Sequence, residues 1–197
     1  MREATYLATD VETGGIGPEV SLLTAYIAIL DQNMEIMDEL ELAMRPDDKI
    51  YHVTAEALAI NKIDLIKHDK DERTVSFGKA GELFRNLIQL HSNNGKKKLI
   101  PLGHNVAFDM ENLYRNVLNK KEAQNYISYR VLDTGSTGRF LVTAGLIPET
   151  VTGSLGSYVE HFKVEKREAH TARGDVLMTV DLMKAMIALV KNLTPKL

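Results

Sequence analysis

Cysteine and tryptophan are both absent from this sequence, and each absence excludes a class of chemistry. Without cysteine the chain cannot form disulfides, a thiolate nucleophile or a Cys-ligated zinc site. Only 6% of the residues are aromatic, so extended platforms for stacking nucleic-acid bases are not expected. No run of apolar residues is long enough to span a membrane, and the N-terminal segment lacks the apolar core of a signal peptide. We therefore expect a cytoplasmic protein with no membrane association.

An excess of basic residues is also missing, since the formal net charge is −3 and the pI is about 6.1. This balance argues against a protein that coats nucleic acid by charge. It leaves open an enzyme that grips one strand end, where metal ions supply the positive charge at the phosphate. With 197 residues, 44% of them hydrophobic, the chain is expected to form one domain, residues 1–197.

The pattern of apolar residues predicts an α/β fold. Strands are predicted at residues 5–9, 21–30 and 35–44, separated by turn residues, and they form an antiparallel meander. Two further strands and five helices are predicted, with the strands at 99–102 and 129–132 and the helices at 54–66, 75–91, 109–119, 154–162 and 174–192. This order indicates a mixed five-stranded sheet, in which two parallel strands extend the meander and helices flank both faces.

The first candidate site segment is Asp10-Val11-Glu12, at the end of the first predicted strand. Residues two apart in extended chain point to the same side, so the two carboxylates repel each other unless they share a cation. The pattern alone is weakly specific, because Asp-x-Glu recurs at Asp109 and Glu111. The second occurrence fits the acidic first turn of a helix.

The second segment, GHNVAFD at 103–109, follows a buried strand and opens a helix. A carboxylate at this junction lies at the carboxyl edge of the sheet, where ligand sites form in α/β proteins. The alternative is a helix N-terminus that Asn105 caps and whose dipole Asp109 complements. Phe108 similarly fits either a contact with a base or ordinary core packing.

The third segment, HTARGD at 170–175, enters the last amphipathic helix. Its spacing of His170 and Asp175 repeats that of His104 and Asp109, so the chain offers two candidate general bases. Spacing cannot choose between them. Position favours His170, which lies in a polar approach segment, whereas His104 follows a buried strand.

Taken together and in this order, the three segments resemble the motifs of the DEDDh (DnaQ-like) exonuclease superfamily, over roughly residues 5–190. The resemblance implies a ribonuclease-H-like fold and a 3′–5′ exonuclease that hydrolyses single-stranded nucleic acid to 5′-mononucleotides. It assigns two divalent metal ions, Mg²⁺ or Mn²⁺, to the acids of the motifs, which are Asp10, Glu12, Asp109 and Asp175. His170 becomes the general base, and His104 a supporting residue of the site.

By the same resemblance, the 3′-terminal nucleotide contacts the first two motifs, at Val11, Thr13, Gly14, His104, Asn105 and Phe108. The partner is then the 3′ end of a single strand, with DNA slightly favoured over RNA. An exoribonuclease or oligoribonuclease-like enzyme is the alternative. Some family members assemble as homodimers, so a homodimer is allowed here, although no interface can be read from the sequence.

One segment departs from the family pattern. Many relatives carry a Val-His-Gly-Ile-like stretch between the first and second motifs, whereas this chain has INKI at 60–63. Contacts to the terminal nucleotide are therefore expected to differ. The lysines Lys62, Lys96, Lys97 and Lys98 could attract a strand, but solvated surface charge is the favoured interpretation. A catalytically inactive binding relative is disfavoured because all five motif residues are present, and an endonuclease of the ribonuclease-H group because such enzymes lack the third motif.

Overall fold

The computed structural model describes residues 3–168 and 170–193, and its centre is a mixed sheet of six strands in the order β4-β3-β2-β1-β5-β6. The meander comprises β1 (Ala4–Thr13), β2 (Leu22–Asp31) and β3 (Ile36–Arg45), paired antiparallel. Strand β5 (Ile100–Gly103) pairs parallel with β1, and β6 (Leu132–Asp133) pairs parallel with β5. The ribonuclease-H-like fold class is confirmed.

The predicted count of five strands is wrong by one. A short strand, β4 (Thr74–Ser76), pairs parallel with the end of β3. The sequence placed this segment at the start of a helix. The helix, α3 (Phe77–His91), begins one residue after Ser76, whose hydroxyl accepts a hydrogen bond from the Lys79 N–H at 3.3 Å. That N-cap is what ends the strand and starts the helix.

The helix predicted over residues 54–66 is also wrong, because the chain forms two short helices there. They are α1 (Ala55–Asn61) and α2 (Leu65–Lys70). Lys62 ends α1 in a left-handed conformation with φ 58°, and Asp64 starts α2 by accepting hydrogen bonds from two backbone N–H groups. A C-cap and an N-cap this close together interrupt a pattern that otherwise reads as one helix.

The sequence pattern did not predict two of the helices, which are α5 (Lys120–Ala123) and α6 (Thr134–Thr143). Glycines at 135 and 138 lower the helix propensity of α6 and hide it. Gly138 is nevertheless required, because a β-carbon there would overlap the ring of Tyr158 on α7 (Leu155–His161). The small residue lets the two helices pack closely, which local propensity does not reveal.

The remaining helices cover the two faces of the sheet. Helices α3 and α4 (Val106–Asn116) pack on one face over a core that includes Leu7, Ile27, Phe84 and Leu113. The long helix α8 (Ala172–Leu193) covers the other face, where Ala8, Ala28 and Leu102 meet its buried stripe. Helices α6 and α7 pack against the outer side of α8. In the parts of the chain that the structure describes, none of the helices is both long and apolar enough to cross a membrane.

Candidate active site

Strand β1 carries the first two acids of the site. Asp10 lies opposite Tyr26 of β2, and Glu12 lies opposite Thr24. Both carboxylates point to the face of the sheet that α8 covers, because residues two apart in a strand share a side. The end of β1 therefore presents a pair of half-buried acids toward the start of that helix.

Asp175 completes a group of three acids from the first turn of α8. Carboxylate oxygens of Asp10, Glu12 and Asp175 all lie within 4.8 Å of one another. The close approach depends on Gly174, since a β-carbon at that position would overlap the carbonyl oxygen of Glu168. The preceding loop can thus fold back tightly and aim the helix at β1.

Asp109 approaches the same strand from the other face. It lies on α4, is only 3% exposed, and its Oδ1 accepts a hydrogen bond from the backbone N–H of Val11 at 3.1 Å. Asp109 is therefore placed between the two acids of β1 along the strand but outside the group of three. The structure brings the four predicted acids to one end of the sheet and gives the fourth a separate hydrogen bond.

The electrostatics of this cluster are unfavourable in the absence of a cation. Burial raises the pKa of Asp10 well above its usual value, and the neighbouring acids raise it further. Burial and the nearby Asp175 raise the pKa of Glu12 to about 7. Burial raises the pKa of Asp109 to about 7 against the opposing effect of the Val11 hydrogen bond. Like charges held out of water at this spacing are stable only if they are protonated or share a cation.

The donor atoms of the cluster fit a divalent metal site. All are carboxylate oxygens, the ligand type that hard divalent cations prefer. The pKa of Asp175 is raised by burial, and His170, the neighbouring cationic candidate, opposes that change. A metal ion bound by Asp10, Glu12 and Asp175 would relieve the repulsion that the raised pKa values report.

The two candidate histidines lie in different environments. His170 is exposed, has a left-handed backbone with φ 63°, and lines cavities that also contain Asp175 and Glu12. His104 is packed edge to face against Tyr158, and its Nδ1 lies 2.9 Å from the Thr134 hydroxyl. Burial lowers the pKa of His104. Of the two, only His170 stands beside the group of three acids with a ring free to meet solvent.

A cavity of about 370 Å³ adjoins Glu12 and is called the Phe108 cavity below. Phe108 is 40% exposed and forms part of its wall, so core packing does not explain this side chain. Val11 and Thr13 line the same cavity. Gly14 instead holds the adjacent chain, where its backbone N–H donates to Ser21 and its carbonyl accepts from Thr54.

The segment at residues 60–63, which departs from the family pattern, contributes another wall of the Phe108 cavity. Asn61 is buried there, its Nδ2 donates to the Thr13 carbonyl at 3.1 Å, and its Oδ1 accepts from the Ile63 N–H at 3.1 Å. The amide thus fixes the end of β1 at the position where the resemblance leads us to expect histidine. Lys62 occupies a left-handed position at the point where the resemblance leads us to expect glycine.

Asp133 holds two helices next to the site, and the sequence analysis did not identify it. Its Oδ2 accepts from the Val106 N–H at 2.9 Å and its Oδ1 accepts from the Ser136 N–H at 2.7 Å, so one carboxylate caps both α4 and α6. Asn105 adopts a left-handed conformation with φ 61° and makes no side-chain cap bond, so the alternative in which the Asn105 side chain caps α4 is wrong. The Asp-Thr-Gly-Ser sequence at 133–136 is the N-cap signal that could have revealed it.

Comparison with known proteins shows which fold this chain resembles. No family model matches the chain. DNA polymerase III PolC-type of Bacillus subtilis (strain 168) is 25% identical over 190 residues, which are 95% of this chain and 12% of that protein. The chain thus spans a small part of that relative.

Solved structures of Exonuclease I from E. coli have the same fold. The complex with a dT13 oligonucleotide superimposes with a TM-score of 0.77 at 19% identity, covering 97% of this chain and 42% of that chain. The zinc-bound complex with single-stranded DNA gives a TM-score of 0.74 at 20% identity, covering 97% and 43%. The fold that the motif resemblance implied is therefore confirmed: this chain has a ribonuclease-H-like fold, and it shares that fold with Exonuclease I. In sequence it is similar to part of the PolC-type polymerase.

Proposed function

We propose that this chain is a metal-dependent 3′–5′ exonuclease that hydrolyses single-stranded nucleic acid to 5′-mononucleotides. The observation that carries the proposal is the convergence of Asp10, Glu12 and Asp175 to within 4.8 Å at the end of β1, beside Asp109. The fold that holds these acids is that of Exonuclease I. We further propose that residues 1–197 form a single exonuclease domain.

Asp10, Glu12 and Asp175 would hold the metal, and Asp109 would support the site through the Val11 backbone. When bound, two divalent ions supply an acidified water and a counter-charge for the scissile phosphate and the leaving oxygen. Mg²⁺ suits a ligand set made only of oxygen, and Mn²⁺ substitutes for it. The high pKa values of Glu12 and Asp109 mean that the metal must compete with protons below neutral pH.

His170 would act as the general base, because it is exposed and lines the cavities that reach Asp175 and Glu12. An imidazole removes a proton from an attacking water most effectively near neutral pH. His104, held by Thr134 and Tyr158, would orient the loop that follows β5. The Phe108 cavity would receive the terminal nucleoside, with the aromatic ring against the base.

DNA is the favoured substrate. The structures similar to this chain include Exonuclease I bound to oligodeoxynucleotides, and a related sequence is that of a DNA polymerase. An exoribonuclease acting through the same residues is the alternative that the experiment must separate.

The decisive assay is digestion of matched 5′-labelled DNA and RNA strands with Mg²⁺ and with EDTA. We expect single-nucleotide shortening from the 3′ end, faster on DNA, and no reaction in EDTA. Asp10→Asn and Asp175→Asn should abolish it, whereas Glu111→Gln, which changes the exposed acid of the other Asp-x-Glu, should leave it intact. Cuts within a circular single strand, or normal turnover by Asp175→Asn, would contradict the proposal.

A further inference from the structure

Two cavities meet the acids of the site from different parts of the fold. The Phe108 cavity reaches Glu12 and is built from the end of β1 and from α1. A second cavity, of about 520 Å³, reaches Asp175 and His170 and is built from α7, α8 and residues 166–167. They share no lining residue. Both volumes fall within the roughly 300–1,000 Å³ of ligand sites in general.

The charges of the two cavities differ. The lining of the Phe108 cavity contains the acids Glu12 and Glu56 and no lysine or arginine. The second cavity contains Lys166 and Arg167, with Glu160 as its acid besides Asp175. A nucleic-acid strand carries one negative charge per phosphate and binds where cations are available. The second cavity therefore suits the charged strand, and the Phe108 cavity suits an uncharged nucleoside.

Lys166 is the cation that remains available in the second cavity. The guanidinium of Arg167 is engaged by Asp181 at 3.0 Å and by Glu165 at 3.3 Å. Lys166 is exposed, and it forms no ion pair with any carboxylate of residues 3–168 and 170–193. An ammonium without a carboxylate partner can bind a phosphate without first giving up another contact.

Arg173 offers a weaker alternative path. It lines a cavity of about 180 Å³ together with Glu41, and a cavity of about 360 Å³ whose lining contains Glu41, Glu165 and Glu168. Its guanidinium lies 5.7 Å from the centre of the Tyr26 ring and 3.8 Å from Glu39. The cation is thus already held against the sheet, and the larger of its two cavities is lined by three glutamates, which repel a phosphate.

We infer that Lys166 binds the first phosphate on the 5′ side of the scissile bond. The remaining strand then leaves through the second cavity, and the terminal nucleoside occupies the Phe108 cavity. This inference rests on the proposed function, and it adds the direction of the strand and the residue that holds it.

The test compares the dinucleoside monophosphate NpN with the trinucleoside diphosphate NpNpN. The shorter substrate has only the scissile phosphate, whereas the longer one adds the single phosphate that Lys166 is inferred to bind. We expect Lys166→Ala to raise KM for the first cleavage of NpNpN by about threefold or more at low salt, and to leave NpN unaffected. For longer DNA strands the slope of log affinity against log salt should become shallower by about 0.7.

Lys96→Ala is the matched control, because Lys96 is exposed in the loop that precedes β5 at the far end of the sheet. An equal effect of Lys166→Ala on both substrates, or equal effects of the two lysine variants, would overturn the inference. Binding of a phosphorothioate NpNpN, measured by fluorescence anisotropy in Ca²⁺, separates the two failures. A wild-type protein that binds this analogue but does not cleave unmodified NpNpN in Mg²⁺ contradicts the proposed exonuclease, whereas unchanged binding by Lys166→Ala contradicts the strand path.

Discussion

Removing one charge from the acid cluster should stabilise the metal-free protein while destroying its activity. Glu12→Gln is the suitable change, because it keeps the shape of the side chain and removes the charge that faces Asp10 and Asp175. In the folded protein the pKa of Glu12 rises from its ordinary value of 4.5 to about 7. A carboxyl whose pKa is raised by folding destabilises the folded state once it ionises.

The size of the stabilisation by Glu12→Gln follows from the rise in the pKa of Glu12. The rise from 4.5 to about 7 corresponds to about 3 kcal/mol at pH values above 7. Glu12 is partly open to solvent, so screening reduces this to roughly 1–2 kcal/mol. For a chain of this size each 1 kcal/mol shifts Tm by about 2–4 °C, so we expect a gain of about 2–8 °C.

The pH dependence has a defined sign. Below pH 4.5 Glu12 is protonated in both the folded and the unfolded chain, so the substitution should gain nothing there. The stabilisation by Glu12→Gln should appear as the pH rises from 4.5 to about 7, and it should be complete above about 7.

Thermal unfolding in EDTA at pH 4 and pH 8 measures this directly. Glu111→Gln is the control, because it changes an exposed acid and should stay within about 0.5 kcal/mol of wild type. Adding Mg²⁺ should raise Tm for the wild type by mass action and should raise it less for Glu12→Gln. A lower Tm for Glu12→Gln in EDTA at pH 8, or an equal gain at pH 4, would refute the electrostatic reasoning.

Two further predictions concern the histidines and the break between α1 and α2. We expect His170→Ala to lower kcat by about 10²–10⁴-fold, while metal binding, measured by calorimetry, stays near that of the wild type. We expect His104→Ala mainly to lower Tm. A greater loss of kcat in His104→Ala than in His170→Ala would mean that the general base is misassigned. We expect Lys62→Gly to raise the free energy of unfolding by up to about 1 kcal/mol, because glycine adopts the left-handed conformation of Lys62 without steric cost. Urea denaturation measures that change, and a destabilised variant would show that the lysine side chain contributes a contact of its own.

The sequence predicted the parts of the fold in which local pattern and tertiary role agree. The meander and the two helices that carry Asp109 and Asp175 have strong apolar periodicity, so their existence was predictable to within a few residues at each end. Helix α6 was not predictable, because Gly138 makes room for the ring of Tyr158 and at the same time lowers the helix propensity of the segment. Strand β4 was missed for a similar reason, since its three residues are ordered by pairing with β3.

In the candidate site, too, the sequence predicted some features, whereas others depend on contacts between distant parts of the chain. The ordered motifs pointed to the four acids, and the structure places those acids at one end of the sheet. Spacing alone could not show that Asp109 reaches β1 through the Val11 amide, because that contact spans 98 positions of the chain. Nor could it reveal Asn61 as the residue that fixes Thr13, since the contact depends on how α1 folds back over β1.

The double cap at Asp133 has a consequence for how the molecule unfolds. Helix α4 lies on one face of the sheet, whereas α6 packs against α8, which covers the other. One carboxylate satisfies the first turns of both α4 and α6. Loss of this carboxylate would therefore leave the N–H groups of Val106 and Ser136 unsatisfied together, so both helices should weaken at their starts at once. The helix that carries Asp109 is thus coupled to α6 by a residue at the edge of the sheet that contributes no ligand of its own to the acid cluster.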